Sequence, residues 1–309
     1  MTKTSLSFFS LSVFCLFSIS SFAQSYTNTT PVPKDTITPT WNDVRIINSP
    51  TTKTAPPHFL DVYFMHRFGN MGEASNGGAH SLYGFDVASD IVVGFDLGLS
   101  KRLMVGFSRS KQQEMLDFYG KYKILYQKKG GSPFSMAISE DIGFIPQDTS
   151  TFYKGSNIPT SRRNFYDRFD YLTQLIIDTR INKHISLEII PTLCHRNHVI
   201  ETSNSNNGAF DANDIPAIGA GGRYMITKQL GIVADYYYII SKFRMNNPDQ
   251  AYYNSLSLGI EVFTGGHVFE INLSNASGLL GNTLIPSTTD TWTKGGFKLG
   301  FTIMRAFGV

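Results

Sequence analysis

The stretch Ser255–Ser274 reads SLSLGIEVFTGGHVFEINLS and shows the alternation that most of the chain repeats. Apolar and polar residues alternate on both sides of a central Thr-Gly-Gly, which predicts a β-hairpin with one apolar and one polar face. Leu258 and Ile260 fall on the apolar face, and Ser257 and Glu261 fall on the polar face. The alternation alone leaves open whether the apolar face covers a protein core or meets lipid.

The N-terminal residues 1–23 contain a single charge followed by a long apolar run. They predict a secretory signal peptide that is cleaved after Ala23. Cys15 does not suit a lipoprotein signal because the bulky Phe14 precedes it. We therefore expect an exported protein whose mature chain begins directly after residue 23.

Composition narrows the class of protein further. After residue 23 the chain has one cysteine, Cys194, so no intramolecular disulfide can form. The net charge of +3 argues against a nucleic-acid partner. No later segment approaches the ~20 apolar residues of a membrane-spanning helix. If the mature chain spans a membrane, it must do so as a closed β-barrel.

Residues 24–57 are rich in Thr and Pro and are predicted to be extended or disordered, apart from one apolar stretch. That stretch, WNDVRIIN at 41–48, is too apolar for a simple linker. We predict that it docks at the mouth of the domain that follows, residues 58–309. The residues expected to plug the mouth are Trp41, Val44, Ile46 and Ile47.

The domain 58–309 contains twelve candidate strands with period-two patterning and no convincing helix between them. Their connections alternate between tight turns and mostly longer polar loops, with exceptions after Ser110 and Arg244 that are short or intermediate. This alternation is typical of an outer-membrane barrel. The predicted fold is therefore an all-β, antiparallel, up-and-down transmembrane barrel. The predicted strands are 58–67, 85–99, 102–110, 114–128, 133–145, 166–181, 184–199, 215–226, 229–244, 252–263, 266–276 and 293–307.

The two faces of these strands differ in charge. The apolar face carries almost no charge in any strand, so we interpret it as facing lipid around a polar lumen. Glu140 falls on the apolar face, and a bulge near Ser139 is expected to turn it inward. Acids and bases are expected in comparable numbers along the lumen. The predicted lumen-lining residues are Asp96, Asp117, Lys121, Lys123, Asp178, Arg180, Glu188, Arg196, Arg223, Asp235, Glu261, Glu270 and Lys298, with Ser108 and Asp141 on the same face.

Several blocks resemble, in order, a known family of membrane-bound β-barrels. They include WNDVRIINSP, LSKRLMVGFSRS, PTLCHRNHV, NDIPAIGAGGRYMITKQ and WTKGGFKLGF, and the resemblance covers about residues 41–309. The family is the domain of unknown function five-seven-seven-seven. The resemblance implies an outer-membrane barrel in a Gram-negative bacterium, with outer-membrane lipid around it. It implies no activity.

Catalytic and metal sites find little support in the sequence. His66, His195 and His267 are expected on separate strands near the lipid interface, so they cannot share one metal ion. Some twelve-stranded barrels are phospholipases with a His and a Ser two residues apart on one strand. The only such pair, His184 and Ser186, falls at a predicted periplasmic turn on the lumen side. We expect no enzyme, no metal and no cofactor.

Two functions remain open for the lumen. It is either a narrow pore for small polar solutes or a closed interior that holds the barrel together while its loops bind another envelope protein. A twelve-stranded barrel is wider than eight-stranded barrels, whose interior is filled, and narrower than sixteen-stranded barrels, whose interior is open. This intermediate width slightly favours a pore. A soluble periplasmic ligand-binding β-protein is the remaining alternative.

Overall fold

The computed structural model describes residues 35–39 and 41–309, so the predicted signal peptide lies outside the described residues. Twelve strands form one closed antiparallel barrel, which confirms the predicted fold. Two further strands, β1 and β2, pair only with each other. The strands are β1 Arg45–Ile46, β2 Ser49–Pro50, β3 Phe59–Asn70, β4 Ala88–Gly98, β5 Leu103–Ser110, β6 Leu116–Leu125, β7 Ser135–Phe144, β8 Phe169–Arg180, β9 Ile185–Arg196, β10 Asp214–Met225, β11 Leu230–Ile239, β12 Ser255–Phe263, β13 His267–Ser274 and β14 Lys298–Gly308.

Each barrel strand pairs with its neighbours along the chain, and β14 pairs with β3 to close the ring. The connections 99–102, 126–134, 181–184, 226–229 and 264–266 lie at one end of the barrel, which we call the turn end. The other connections, which are longer except for 111–115, lie at the opposite end, the loop end. The first and last strands meet at the turn end, where the Val309 N–H donates to the His58 carbonyl at 2.8 Å.

The outer face of the barrel is apolar through the middle of the strands. Large side chains such as Phe95, Phe118, Ile260 and Ile271 remain exposed there, whereas the residues that alternate with them point inward and are mostly buried. A face of this kind is stable against lipid and unfavourable in water. The predicted lipid-facing alternation is confirmed.

Glu140 is the exception on this face. β7 keeps a regular register with β8, and the irregularity in its pairing with β6 lies between Lys123 and Leu125 instead of near Ser139. Glu140 therefore points outward and is exposed, and its Oε2 accepts a hydrogen bond from Thr173 Oγ1 at 2.6 Å. The predicted bulge is wrong, because a neighbouring threonine partners the carboxylate without any change of strand period.

The expectation of no helix between the strands is wrong for two short segments, α1 Thr149–Phe152 and α2 Gly281–Ser287. Both are too short to produce a 3.6-residue period in the sequence, and α2 contains Pro286. No helix in the described part of the chain has the length and apolar character needed to cross a bilayer.

The two ends of the barrel are distinguished by cysteine labelling. Thr160 is exposed at the loop end and Lys183 is exposed at the turn end, while the native Cys194 is buried. In intact cells, Thr160→Cys should react with a membrane-impermeant maleimide and Lys183→Cys should react only after lysis, because long loops of such barrels face outward. Labelling in the reverse pattern, or at both sites in intact cells, would contradict this topology.

Candidate functional site

The inner wall of the barrel is charged, and its acids outnumber its bases. All the residues predicted to line the lumen occupy inward strand positions, Arg180 and Arg196 being half-buried at opposite ends. The excess of acids corrects the expectation of comparable numbers. The inward acids are Asp61, Asp90, Asp96, Asp117, Asp141, Asp170, Asp178, Glu188, Asp235, Glu261 and Glu270, and the inward bases are Arg67, Lys121, Lys123, Arg180, Arg196, Arg223 and Lys298.

Sequence reasoning missed several of these charges. Asp61, Arg67, Asp90 and Asp170 are all no more than 4% exposed and point inward. In β3, β4 and β8 these residues alternate with outward apolar neighbours, and this alternation could have predicted that they point inward. They lie in the first predicted strand or toward strand ends, where a charge is ordinary at a water-exposed rim.

The segment 41–57 lies inside the barrel. Its β1–β2 hairpin has Ile47 and Asn48 at the tip, and Trp41, Val44, Ile46 and Ile47 are each no more than 6% exposed. The sequence predicts this segment at the mouth, but its tip reaches Arg67, which is nearer the loop end of β3 than the turn end. The hairpin therefore fills part of the bore.

Wall carboxylates hold the hairpin tip through its backbone. The Ile47 N–H donates to Glu270 Oε2 at 3.1 Å, and the Asn48 N–H donates to Asp235 Oδ2 at 2.7 Å. Ile47 has a φ of 44°, a left-handed conformation that is strained for a β-branched residue. Because the wall supplies the acceptors, the tip conformation depends on insertion into the barrel.

Other wall charges hold the two arms of the hairpin. Lys121 Nζ donates to the Val44 carbonyl at 2.8 Å and to the Thr51 carbonyl at 2.9 Å. Trp41 Nε1 donates to Asp178 Oδ2 at 2.7 Å. These hydrogen bonds between the hairpin segment and the wall each involve a charged wall side chain. Water could solvate the same wall charges if the hairpin left the bore.

The chain enters the bore across the turn end. The Ile37 N–H donates to the Gln127 carbonyl at 2.8 Å, which lays residues 35–38 along the connection between β6 and β7. Arg180 Nη1 then donates to the Thr38 carbonyl at 3.2 Å. This route shows that the hairpin reaches the lumen from the turn end.

A second segment fills the bore from the loop end. The last long loop, 275–297, folds inward, and its helix α2 packs against β8, β9 and β10. Leu284 and Ile285 of α2 pack in a buried apolar cluster with Leu172 and Tyr237. This filling is held by these apolar contacts and by hydrogen bonds to the wall, such as that of the Leu279 N–H to Asp90 Oδ2 at 3.0 Å. The pairs of adjacent apolar residues in this loop are the sequence feature that could have predicted its burial.

Arg67 joins the two fillings. Its Nη2 donates to Asn48 Oδ1 of the hairpin at 3.1 Å, and its Nη1 donates to the Gly278 carbonyl of the loop at 3.0 Å. A third bond runs from Nη2 to Asn272 Oδ1 of β13 at 3.2 Å. One fully buried guanidinium thus ties the wall, the hairpin and the loop together.

The histidines do not converge on a common site. His66 stacks on Phe301 outside the barrel, with ring centroids 5.5 Å apart, and His195 Nδ1 bonds Asp214 Oδ1 at 2.7 Å. His267 stacks on an outward phenylalanine of β13. Within residues 35–39 and 41–309, no three His, Cys, Asp or Glu side chains are grouped to hold a metal ion.

A cavity of about 440 Å³ opens at the loop end between the inward-folded loop and its neighbours. Arg196 and Arg244 both donate to Asp211 Oδ1 in its lining, at 2.9 and 2.8 Å. Burial lowers the pKa of His198 and raises the pKa of Tyr252, so both side chains are neutral near pH 7. The cavity is a polar vestibule with nearly balanced charge.

A closed barrel with an apolar outer face and inward charges is a membrane-spanning β-barrel. The model of the family described as membrane bound beta barrel domain (DUF5777) matches residues 41–307, and the chain belongs to that family. The match begins at Trp41 and so includes the inserted hairpin. No curated protein sequence matches the chain.

Solved barrels share the architecture at low identity. The NanC porin is 9% identical, with 81% of this chain and 100% of that chain covered and a TM-score of 0.47. An outer membrane channel from Pseudomonas putida F1 is 9% identical, with 83% and 98% covered and a TM-score of 0.49. An active-site mutant of the Escherichia coli outer membrane phospholipase A is 10% identical, with 82% and 91% covered and a TM-score of 0.39. These similarities carry no conclusion about activity.

Replacing Arg67 should destabilise the folded barrel. Arg67→Met would leave buried acceptors on the hairpin, the loop and β13 without a donor, at a cost of about 3 kcal/mol. Arg180→Met is the matched control, because Arg180 is half-exposed at the turn end and its loss should cost about 1 kcal/mol or less. Urea unfolding in lipid vesicles measures both. Equal stabilities for the two variants would contradict the central role of Arg67.

Proposed function

We propose that the protein is a channel for small polar solutes in the outer membrane of a Gram-negative bacterium, closed at rest by residues 41–57. One observation carries the proposal: two inserted chain segments fill the bore in addition to the inward side chains of its own wall. A barrel that serves only as a scaffold can be filled by inward side chains, as eight-stranded barrels are.

The chemistry of the hairpin contacts supports a removable closure. Asp235, Glu270 and Lys121 bind backbone groups of the hairpin, and each of these wall groups is well solvated in water. The net free energy of such bonds is small because water replaces them. Withdrawal toward the turn end would expose a charged bore, which is the lining that polar solutes require.

The loop-end filling is expected to narrow the channel and not to open it. Its helix α2 is anchored by buried Leu284 and Ile285, and losing these contacts to water would be costly. Solutes would reach the bore through the polar vestibule of about 440 Å³ beside this loop. We therefore expect a small single-channel conductance.

We further infer that the barrel is not a lipid-hydrolysing enzyme. His184 lies in a turn-end connection, where its Nδ1 contacts the Met225 carbonyl at 2.9 Å. Ser186, two residues later, is buried on the inner face of β9. A catalytic pair acting on a membrane ester needs its hydroxyl at the lipid face.

A reversible cross-link tests the closure. Asn48 Nδ2 of the hairpin lies 2.8 Å from Ser257 Oγ of β12, so the double variant Asn48→Cys, Ser257→Cys places two thiols in contact range. In planar bilayers the oxidised protein should be silent. The reduced protein should show discrete openings, because the loss of the Asn48 side-chain contacts loosens the hairpin.

Asn48→Cys alone is the control, and its conductance should not respond to oxidation. Equal conductance of the oxidised and reduced double variant would exclude the hairpin as the closure. Silence of every form would favour the alternative function, a closed barrel whose loops dock another envelope protein.

A further inference from the structure

Arg45 of the inserted hairpin occupies a defined pocket on the barrel wall. Its Nη2 donates to Asp96 Oδ2 at 3.1 Å and to the Tyr119 hydroxyl at 2.7 Å. Its Cζ lies 3.8 Å from the centroid of the Tyr63 ring. A buried carboxylate beside aromatic faces is the combination that binds guanidinium and alkylammonium groups in general.

The wall builds this pocket from its own contacts. The Tyr119 hydroxyl also donates to Asp96, and the hydroxyls of Tyr63 and Tyr119 are 3.2 Å apart. Glycines make room for the rings: a Cβ at Gly94 would lie 2.2 Å from Tyr63 Cζ, and one at Gly106 would lie 2.1 Å from Tyr119 Cζ. The pocket is therefore shaped by β3, β4, β5 and β6, and Arg45 only occupies it.

The surrounding charge favours a cation in this pocket. Asp61 is the direct cross-strand partner of Asp96, and its Oδ1 is buried without a hydrogen-bond partner among the described residues. Two carboxylates facing each other across a strand pair repel unless a cation lies near them. Lys121 of the wall also interacts with Asp96, and Lys53 of the segment 41–57 interacts with Asp61. Once the segment leaves, the site retains two acids and Lys121, on a wall where acids exceed bases.

The pocket also adjoins open space. Arg45, Tyr63 and Tyr119 line a cavity of about 60 Å³ between the hairpin and the inward-folded loop. A small cation in the bore could therefore approach the same carboxylate and rings from the loop-end side.

We propose that Asp96, Tyr63 and Tyr119 form a binding site for small guanidinium and alkylammonium compounds, which Arg45 occupies while the barrel is closed. Such cations are the solutes that the open barrel prefers. The binding site rests on the geometry alone, whereas the assignment of the solute rests on the proposed channel function.

Binding is tested on the full-length protein in detergent with methylguanidinium as the probe. Arg45→Ala vacates the pocket, so methylguanidinium should raise its unfolding temperature in a saturable manner, while methylurea, the neutral analogue, should not. The wild type should show no such shift. Adding Asp96→Asn to Arg45→Ala should weaken binding by at least about tenfold, because the charge-assisted contact is lost.

Two controls make this result decisive. Adding Asp148→Asn to Arg45→Ala removes an acid from an exposed loop and should leave binding unchanged. Arg45→Gln replaces Arg45→Ala if the alanine variant does not fold. Failure of the vacated protein to bind methylguanidinium, or equal binding with and without Asp96→Asn, would overturn the site.

Bilayer recordings with the reduced Asn48→Cys, Ser257→Cys protein test the solute. Reversal potentials should show cation selectivity and a higher permeability for guanidinium than for sodium, and adding Asp96→Asn should reduce both. Binding without any current would refute the channel and leave the site intact. Current without cation preference would refute the solute assignment while the channel stands.

Discussion

The lumen of this twelve-stranded barrel is lined by charge, and its inward side chains leave space that two other chain segments occupy. Buried charges are stable only when they are partnered. The chain meets this constraint by inserting a hairpin from one end and a loop from the other, with Arg67 bonded to both. The wall charges depend on those insertions for their hydrogen-bond partners, since groups such as Asp235 and Lys121 bond to the hairpin segment.

The two insertions differ in how many contacts to wall charges hold them. The loop is anchored by apolar side chains of α2 and by bonds such as that of the Leu279 N–H to Asp90. The hairpin combines a buried apolar cluster, in which Trp41, Ile46 and Ile47 contact Val233, with hydrogen bonds to several wall carboxylates and to Lys121. Ile47 keeps its strained backbone only while Glu270 accepts its N–H. We therefore propose that the hairpin is the insertion that leaves, and that the departure of Arg45 exposes the cation site.

The barrel was predictable because its signal is local: each strand shows the two-residue period in its own sequence, as β12 and β13 do around Thr264–Gly266. The lumen was predictable only in part. The two-residue alternation predicted that Asp96 and Glu188 point inward. How far the hairpin enters the bore depends instead on contacts such as that of Asn48 with Asp235, which are far apart in sequence. The outward Glu140 depends on Thr173 of the next strand, which no pattern within β7 reveals.

Hydrogen exchange of the protein in lipid vesicles tests most directly whether residues 41–57 fill the lumen at rest. Peptides from this segment should exchange far more slowly than unstructured chain, because the N–H groups of Ile47 and Asn48 are bound to buried carboxylates. They should still exchange before the barrel strands, since the proposed opening withdraws the hairpin while the wall stays folded. Exchange of the segment at the rate of an unstructured peptide would contradict the account.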